Sequence, residues 1–280
     1  MQLHINTPLI QFRQLSRDVW LKMEALQPTG SFKIRCVGLA CQEYYRQGAR
    51  YFISSSGGNA GLAVAYAGCR LGVPVSVVVP ETTSAQAEVV VHGSSWQEAN
   101  QYALRMAGAS DAFIHPFDDP LLWKVHASMI DEVVASGLCP DVVVLAVGGG
   151  GPLCGVIEGL ERNGLGNVPV IAAETEGTAS FHAASAAGHL VELDAIDSVA
   201  TSLGAKRVCE QVVDYARSRP VISQCLTDAE AVRACRRFAD DHRVVTETPW
   251  SVFMKVKGVL ELYRTPLFIV CGGLQCCWII

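Results

Sequence analysis

The 280-residue chain contains no run of about 18 uncharged apolar residues, the length a membrane-spanning helix needs, so no such helix is expected. It has no surplus of basic residues either: 22 lysines and arginines stand against 27 aspartates and glutamates, for a net charge of −5. That balance lacks the basic patch of a nucleic-acid-binding protein. The opening residues, MQLHINTPLIQ, lack the basic start and apolar run of a signal peptide. Charged residues make up only 18 % and hydrophobic residues 50 %, which excludes a disordered chain. No internal repeat, low-complexity linker or run of five like charges marks a domain boundary. The eleven cysteines fall below the ~8–10 % of disulfide scaffolds, their count is odd, and no pair has zinc-ribbon spacing. Most, including Cys36, Cys41, Cys69, Cys154 and Cys271, sit in apolar runs, although Cys276 and Cys277 are adjacent. Reduced, buried thiols in a cytoplasmic protein are the expectation.

What is present is a set of short apolar runs rich in β-formers at 50–54, 73–79, 88–91, 141–147, 168–173 and 267–271. Uninterrupted β-branched runs suit strands buried on both faces, as in a parallel sheet. Helical patterns lie between them, at 59–71, 123–136, 152–163 and 228–243. Strand alternating with helix predicts an α/β fold.

Three segments fall where a strand is expected to give way to a helix, and open α/β sheets bind ligands at such carboxyl ends of strands. Gly148, Gly149, Gly150 and Gly151 follow the 141–147 run and precede a helix that opens with Pro152. Exposed N–H groups and the helix dipole there favour an anion, and the run is neither GxGxxG nor a Walker loop. The other reading is a glycine turn for tight strand–helix packing. The segment SSSGGNAG, Ser54 to Gly61, offers hydroxyls, an amide and free N–H groups to a carboxylate, or is simply a serine-rich helix cap. In Thr29-Gly30-Ser31-Phe32-Lys33-Ile34-Arg35, apolar neighbours flank Lys33. The lysine is either a solvated surface charge or a partly buried, reactive amine.

Taken in order, GSFKIR, SSSGGNAG and GGGG resemble the fold-type-II, tryptophan-synthase-β-like pyridoxal-phosphate enzymes. HPFDDPLLWKVHAS (115–128), AAETEGTASFHAA (172–184) and SVATSLGAK (198–206) bring the likeness closest to the L-serine/L-threonine dehydratases, over most of residues 5–245. The resemblance implies two open, mostly parallel sheets with flanking helices. It also implies a large pyridoxal-phosphate domain of residues 1–37 and 118–280 around a small domain of 38–117. In that frame Lys33 attaches pyridoxal 5'-phosphate as a Schiff base, Phe32 lies against the pyridine ring, and Asn59 bonds the 3-hydroxyl oxygen. Ser56, Gly57 and Ala60 line the substrate carboxylate pocket, with Ser56 also implied in catalysis. Gly148 to Gly151 cradle the phosphate and Cys271 faces the pyridine nitrogen. A potassium ion sits near Glu174, Thr178, Ser180, Leu203 and Ala205. His115, His126 and His182 read as structural. The implied protein is a cytoplasmic homodimer.

The chain departs from this pattern in several places. Only residues 80–87 separate the 73–79 and 88–91 runs, where the family carries a helix. Joining neighbouring parallel strands normally takes a crossover of about a dozen residues or more. The second run is therefore expected to pair differently, leave the sheet or form a hairpin. An uncovered apolar face and a weakened small domain, opening most readily at 81–87, are expected to follow. The family's Glu-Pro-Ala-Cys-Gly-Ala segment is replaced around 247–251, ahead of an expected helix at 252–263. Cys271-Gly272-Gly273 is followed by Leu274-Gln275, the end reads CCWII, and Ser202 stands where the family has alanine. Deamination of L-serine, and of L-threonine, is the leading expectation. The alternatives are a weak or inactive variant that binds cofactor or a partner subunit, or another fold-type-II enzyme such as serine racemase or threonine synthase.

Overall fold

The computed structural model describes residues 2–14, 17–81, 89–94, 96–115, 120–244, 246 and 262–272. The chain opens with an antiparallel hairpin, β1 (Leu9–Gln14) and β2 (Arg17–Lys22), followed by α1 (Lys33–Arg46). Next come β3 (Tyr51–Ser54), α2 (Asn59–Leu71), β4 (Val75–Val79), β5 (Val89–Val91), α3 (Trp96–Met106) and β6 (Asp111–Ile114). The chain continues through α4 (Pro120–His126), α5 (Ser128–Ala135), β7 (Val142–Ala146), α6 (Gly151–Arg162) and β8 (Val170–Thr175). The last elements are α7 (Ser180–Ala187), α8 (Glu210–Ser218), β9 (Val221–Leu226), α9 (Asp228–His242) and β10 (Pro266–Ile269).

Two sheets result, as expected. One has the order β1-β2-β10-β7-β8-β9, parallel apart from the opening hairpin, and the other has the parallel order β5-β4-β3-β6. The valine runs explain the arrangement. Every residue of β7 is buried, with one set of side chains in a core beside α1, α5 and α6 and the other set packed with α9. In α9, Thr227 and Glu230 form a capping box that fixes where the helix starts.

The interface of α6 depends on two glycines. A Cβ on Gly155 would collide with His126, and one on Gly159 would lie 2.8 Å from the Ala127 carbonyl oxygen. Spaced four apart, they share one helix face. Residues 123–130 dock into this groove, and the expected single helix over 123–136 is broken there into α4 and α5.

The short connection between β4 and β5 overturns one expectation. The two strands pair in parallel, with Val77 opposite Val89 and Val79 opposite Val91. The usual minimum applies to crossovers that carry a helix, and β5 has only three residues. The chain must return about 7 Å along the strand and about 5 Å sideways, within the ~30 Å reach of nine extended residues. The face of this sheet formed by Ile53 and Val78 is covered by Ala99 and Ala103 of α3, while Val91 stays exposed. Residues 82–88, the replaced segment at 247–251, all but the last two residues of the helix expected at 252–263, and the terminal residues 273–280 lie outside the described residues; Leu262 and Tyr263 are not helical. No described helix is long and apolar enough to cross a membrane.

Candidate active site

Lys33 is the first residue of α1, half-buried, with its Nζ 5.2 Å from the centroid of the buried Phe32 ring. The turn before it is seated on the strand exit after β10. Phe32 N–H donates to the Cys271 carbonyl at 3.0 Å, and Ser31 forms a β-bridge with Gly272. A Cβ at Gly272 would lie 2.6 Å from that of Ser31, so the two backbones meet this closely only over a glycine. The expected partners Lys33, Phe32 and Cys271 are thus brought together.

Behind Lys33 lies a buried ionic cluster. The Arg35 guanidinium donates to both oxygens of Glu24, each at 2.7 Å, and to Glu132 at 2.6 and 2.8 Å. Lys22 Nζ donates to Glu132 at 2.5 Å and to the Thr7 carbonyl at 2.8 Å. Arg35 and Glu24 are wholly buried and Lys22 almost so. Two cations balance two anions. Burial alone would discharge Arg35, but its hydrogen bonds to Glu24 and Glu132 outweigh that and hold it charged more firmly than usual. Burial likewise favours a neutral Glu132, yet hydrogen bonds from Arg35 and Lys22 hold its carboxyl below the ordinary range.

The second loop joins β3 to α2. Asn59 and Ala60 are buried at the start of α2, while Ser56 and Gly57 are half-buried. Ser55 Oγ donates to Asn100 Oδ1 at 2.7 Å and ties the loop to α3. A Cβ at Gly61 would collide with the Ser56 carbonyl oxygen, so this tight turn requires glycine. The loop is linked to the Lys33 segment through the packing of α2 on α1.

The third loop, Gly148 to Gly151, leads from β7 into the twelve-residue α6. Gly150 is its N-cap at φ +94°, with space for a side chain closed off by Val212 and Cys209. The Gly149 carbonyl accepts Cys209 N–H at 3.0 Å, and a Cβ on Gly148 would lie 3.2 Å from Leu203 Cα. Backbone N–H groups at the start of such a helix form an anion site. The buried hydroxyls of Thr29, Ser31 and Ser54, in or beside these loops, find no hydrogen-bond partner among the described residues. Each costs about 1–3 kcal/mol if left so. Such orphaned groups, beside a lysine and a glycine-lined helix start, fit a polar, phosphate-bearing ligand.

Glu174, at the end of β8, accepts Phe181 N–H at 2.8 Å and His182 N–H at 2.7 Å, which ties it to the start of α7. Burial pushes its carboxyl up to about 7, against the lowering effect of those two bonds. Ser180 Oγ is buried without a protein partner, and Thr178 Oγ1 lies 2.8 Å from Thr175 Oγ1. Leu203 is buried in the 201–203 turn and its carbonyl accepts Ala205 N–H at 2.8 Å, while Ser202 is exposed. Among the described residues no group of three His, Cys, Asp or Glu side chains could hold a metal. Any cation here must rest on carbonyls, hydroxyls and one carboxylate.

Residues 1–252 match the family model described as "Pyridoxal-phosphate dependent enzyme". The chain belongs to this family. Among its relatives in the family, "L-serine dehydratase/L-threonine deaminase" of Homo sapiens is 43% identical over 299 residues, covering 97% of this chain and 91% of that protein. "Serine dehydratase-like" of Mus musculus is 45% identical over 298 residues, covering 96% and 90%. The crystal structure of a fungal L-serine ammonia-lyase from Rhizomucor miehei superposes with a TM-score of 0.91 at 30% identity, over 98% of this chain and 96% of that one. Its α/β architecture, with two mostly parallel sheets, is thus that of the fold-type-II branch of pyridoxal-phosphate enzymes.

The ionic cluster behind Lys33 and the buried, unsatisfied state of the Thr29 and Ser31 hydroxyls escaped the sequence reading, which did single out the hydroxyls of the Ser54 segment. Hydroxyls carry no spacing signal, and the cluster's partners lie as far as 110 residues apart. The Gly155–Gly159 pair did carry one, as two glycines one turn apart inside a strong helix.

Proposed function

We propose that this chain deaminates L-serine, and L-threonine, by β-elimination, giving pyruvate or 2-oxobutyrate and ammonia. The observation that carries this reading is Lys33 held at the start of α1, tied through Phe32 and Ser31 to the Cys271–Gly272 backbone, with the buried hydroxyls of Thr29 and Ser31 unsatisfied among the described residues in the turn before it. When bound, pyridoxal phosphate supplies the electron sink for loss of the α-proton and the β-hydroxyl. Lys33 would attach it, and the Lys33 amine would move the α-proton. Phe32 would pack on the cofactor ring and Asn59 would bond its 3-hydroxyl oxygen. The N–H groups of Gly148 to Gly151 would hold the phosphate. Ser56, Gly57 and Ala60 would orient the substrate carboxylate, with Ser56 also assigned to catalysis. The Cys271 thiol would face the ring nitrogen and would not enforce its protonation as a carboxylate would. That suits elimination, in which the leaving group drains the electrons. We further assign residues 1–37 and 118–280 to the cofactor-binding unit and 38–117 to the substrate-side unit, in a cytoplasmic homodimer.

Purified protein supplied with cofactor and L-serine should release pyruvate. Formation of D-serine without pyruvate would favour a racemase, and no product at all a cofactor-binding variant without turnover.

We assign a potassium ion to the oxygen atoms of Glu174, Thr178, Ser180, Leu203 and Ala205, since hard cations take oxygen ligands. Exchanging sodium for potassium should raise turnover, and Glu174→Ala should remove the response. Equal rates in both salts with the unaltered protein would leave Glu174 with only its bonds to α7.

A further inference from the structure

His126 closes α4, is 2% exposed, and sits between the start of α1 and α6. Its ring meets the Phe32 ring edge-on, with centroids 5.1 Å apart. Its Cβ fills the place where Gly155 of α6 has no side chain. One ring nitrogen, Nδ1, is buried and has no hydrogen-bond partner among the described residues. A histidine kept only for packing would carry the full cost of that orphaned nitrogen, about 1–3 kcal/mol, for a volume that an apolar side chain could fill.

We propose that His126 is a positioning residue for Lys33: its ring wedges Phe32 against the first turns of α6, and its buried Nδ1 is a hydrogen-bond contact held ready for the bound cofactor. This inference rests on the assignment of Lys33 as the cofactor lysine. The charged groups felt by the imidazole are Lys33 and Arg35, both on α1. Burial first, then these two cations, push it well below its ordinary value and keep the ring neutral. A neutral ring adds no charge to a site whose lysine must work as an amine, yet it can still donate or accept one hydrogen bond. The groove of Gly155 and Gly159 fixes the backbone of residues 123–130, so the ring position is set by main-chain packing.

The test compares His126→Leu with His126→Gln in protein loaded with pyridoxal phosphate. In the leucine variant the visible absorption band of the cofactor should shift and its pH dependence change. The cofactor should also dissociate at least tenfold more readily. Glutamine, neutral and polar, should restore most of both. If the leucine variant keeps the band, its pH profile and cofactor affinity while losing only thermal stability, His126 is a packing residue and the inference fails. Should that variant not fold, nitrogen NMR of the unaltered protein decides between the two roles: cofactor removal must move the His126 Nδ1 resonance, and an unmoved resonance overturns the proposal. Wild-type protein that takes up cofactor on a lysine other than Lys33 overturns both readings. Uptake on Lys33, with the leucine variant unchanged, overturns this one alone.

Discussion

Lys33→Ala should reduce pyruvate formation by about ten-thousand-fold or more, because in the proposed reaction one amine both attaches the cofactor and moves the proton. The side chain is half-buried and its departure leaves the backbone ties intact: Phe32 N–H still reaches the Cys271 carbonyl and Ser31 still bridges Gly272. Stability should therefore change little, and a circular-dichroism melt close to that of the unaltered protein separates lost chemistry from lost fold. In the unaltered protein, borohydride should fix the cofactor to the peptide that contains Lys33. Recovery of the label on another lysine would sink the assignment, as would Lys33→Ala protein that still turns over L-serine at the original rate.

Arg35→Met should destabilise the protein by about 3–5 kcal/mol, since it strands the wholly buried Glu24 and leaves Lys22 alone to balance two carboxylates. Against a typical total of about 5–15 kcal/mol this is a large share, readable in urea unfolding. Adding Glu24→Gln to Arg35→Met should recover part of the loss by removing the stranded charge. If the double variant is weaker than the single one by the full cost of a second independent change, the cluster is not acting as a unit.

The same cluster sets a pH dependence. The folded pKa of Glu132 lies below its unfolded value of 4.5, so its contribution is fully present above 4.5 and is lost as pH falls through the folded value. Glu132→Gln should therefore cost stability at pH 7, and the gap to the unaltered protein should narrow in acid. A gap that stays constant from pH 7 into acid would assign the cost to packing.

Much of the fold was legible because valine runs buried on both faces carry their own signal. β7 and β8 fall where the sequence places them, and α2 spans 59–71 as read, closing on Gly72 in the left-handed conformation. Strands that alternate or face solvent were not legible. β9, with VISQCL half-exposed at the sheet edge, carries no continuous apolar run, and the nine-residue α8 shows too few turns for its period to stand out. The β4–β5 connection was misread because a rule for helical crossovers was applied to a three-residue strand. At the candidate site, the lysine and glycine segments were legible as motifs. His126 was read as structural, and nothing local in the sequence says that its ring nitrogen ends up buried. Burial of that kind depends on α1, α4 and α6 meeting, which is a property of the tertiary arrangement.

β10 is made after every other strand, yet it lies in the middle of the large sheet, parallel to β2 on one side and β7 on the other. During synthesis, at about 5–20 residues per second, β2 and β7 must wait unpaired with each other until residue 269 has emerged. The small sheet, complete once residue 114 is out, is under no such constraint. The residues that seat Lys33, Cys271 and Gly272, arrive directly behind β10. A nascent chain halted before that strand would hold every glycine loop and the lysine itself, but not the backbone that aims it. If Lys33 is the cofactor lysine, cofactor uptake should thereby depend on completion of the large sheet.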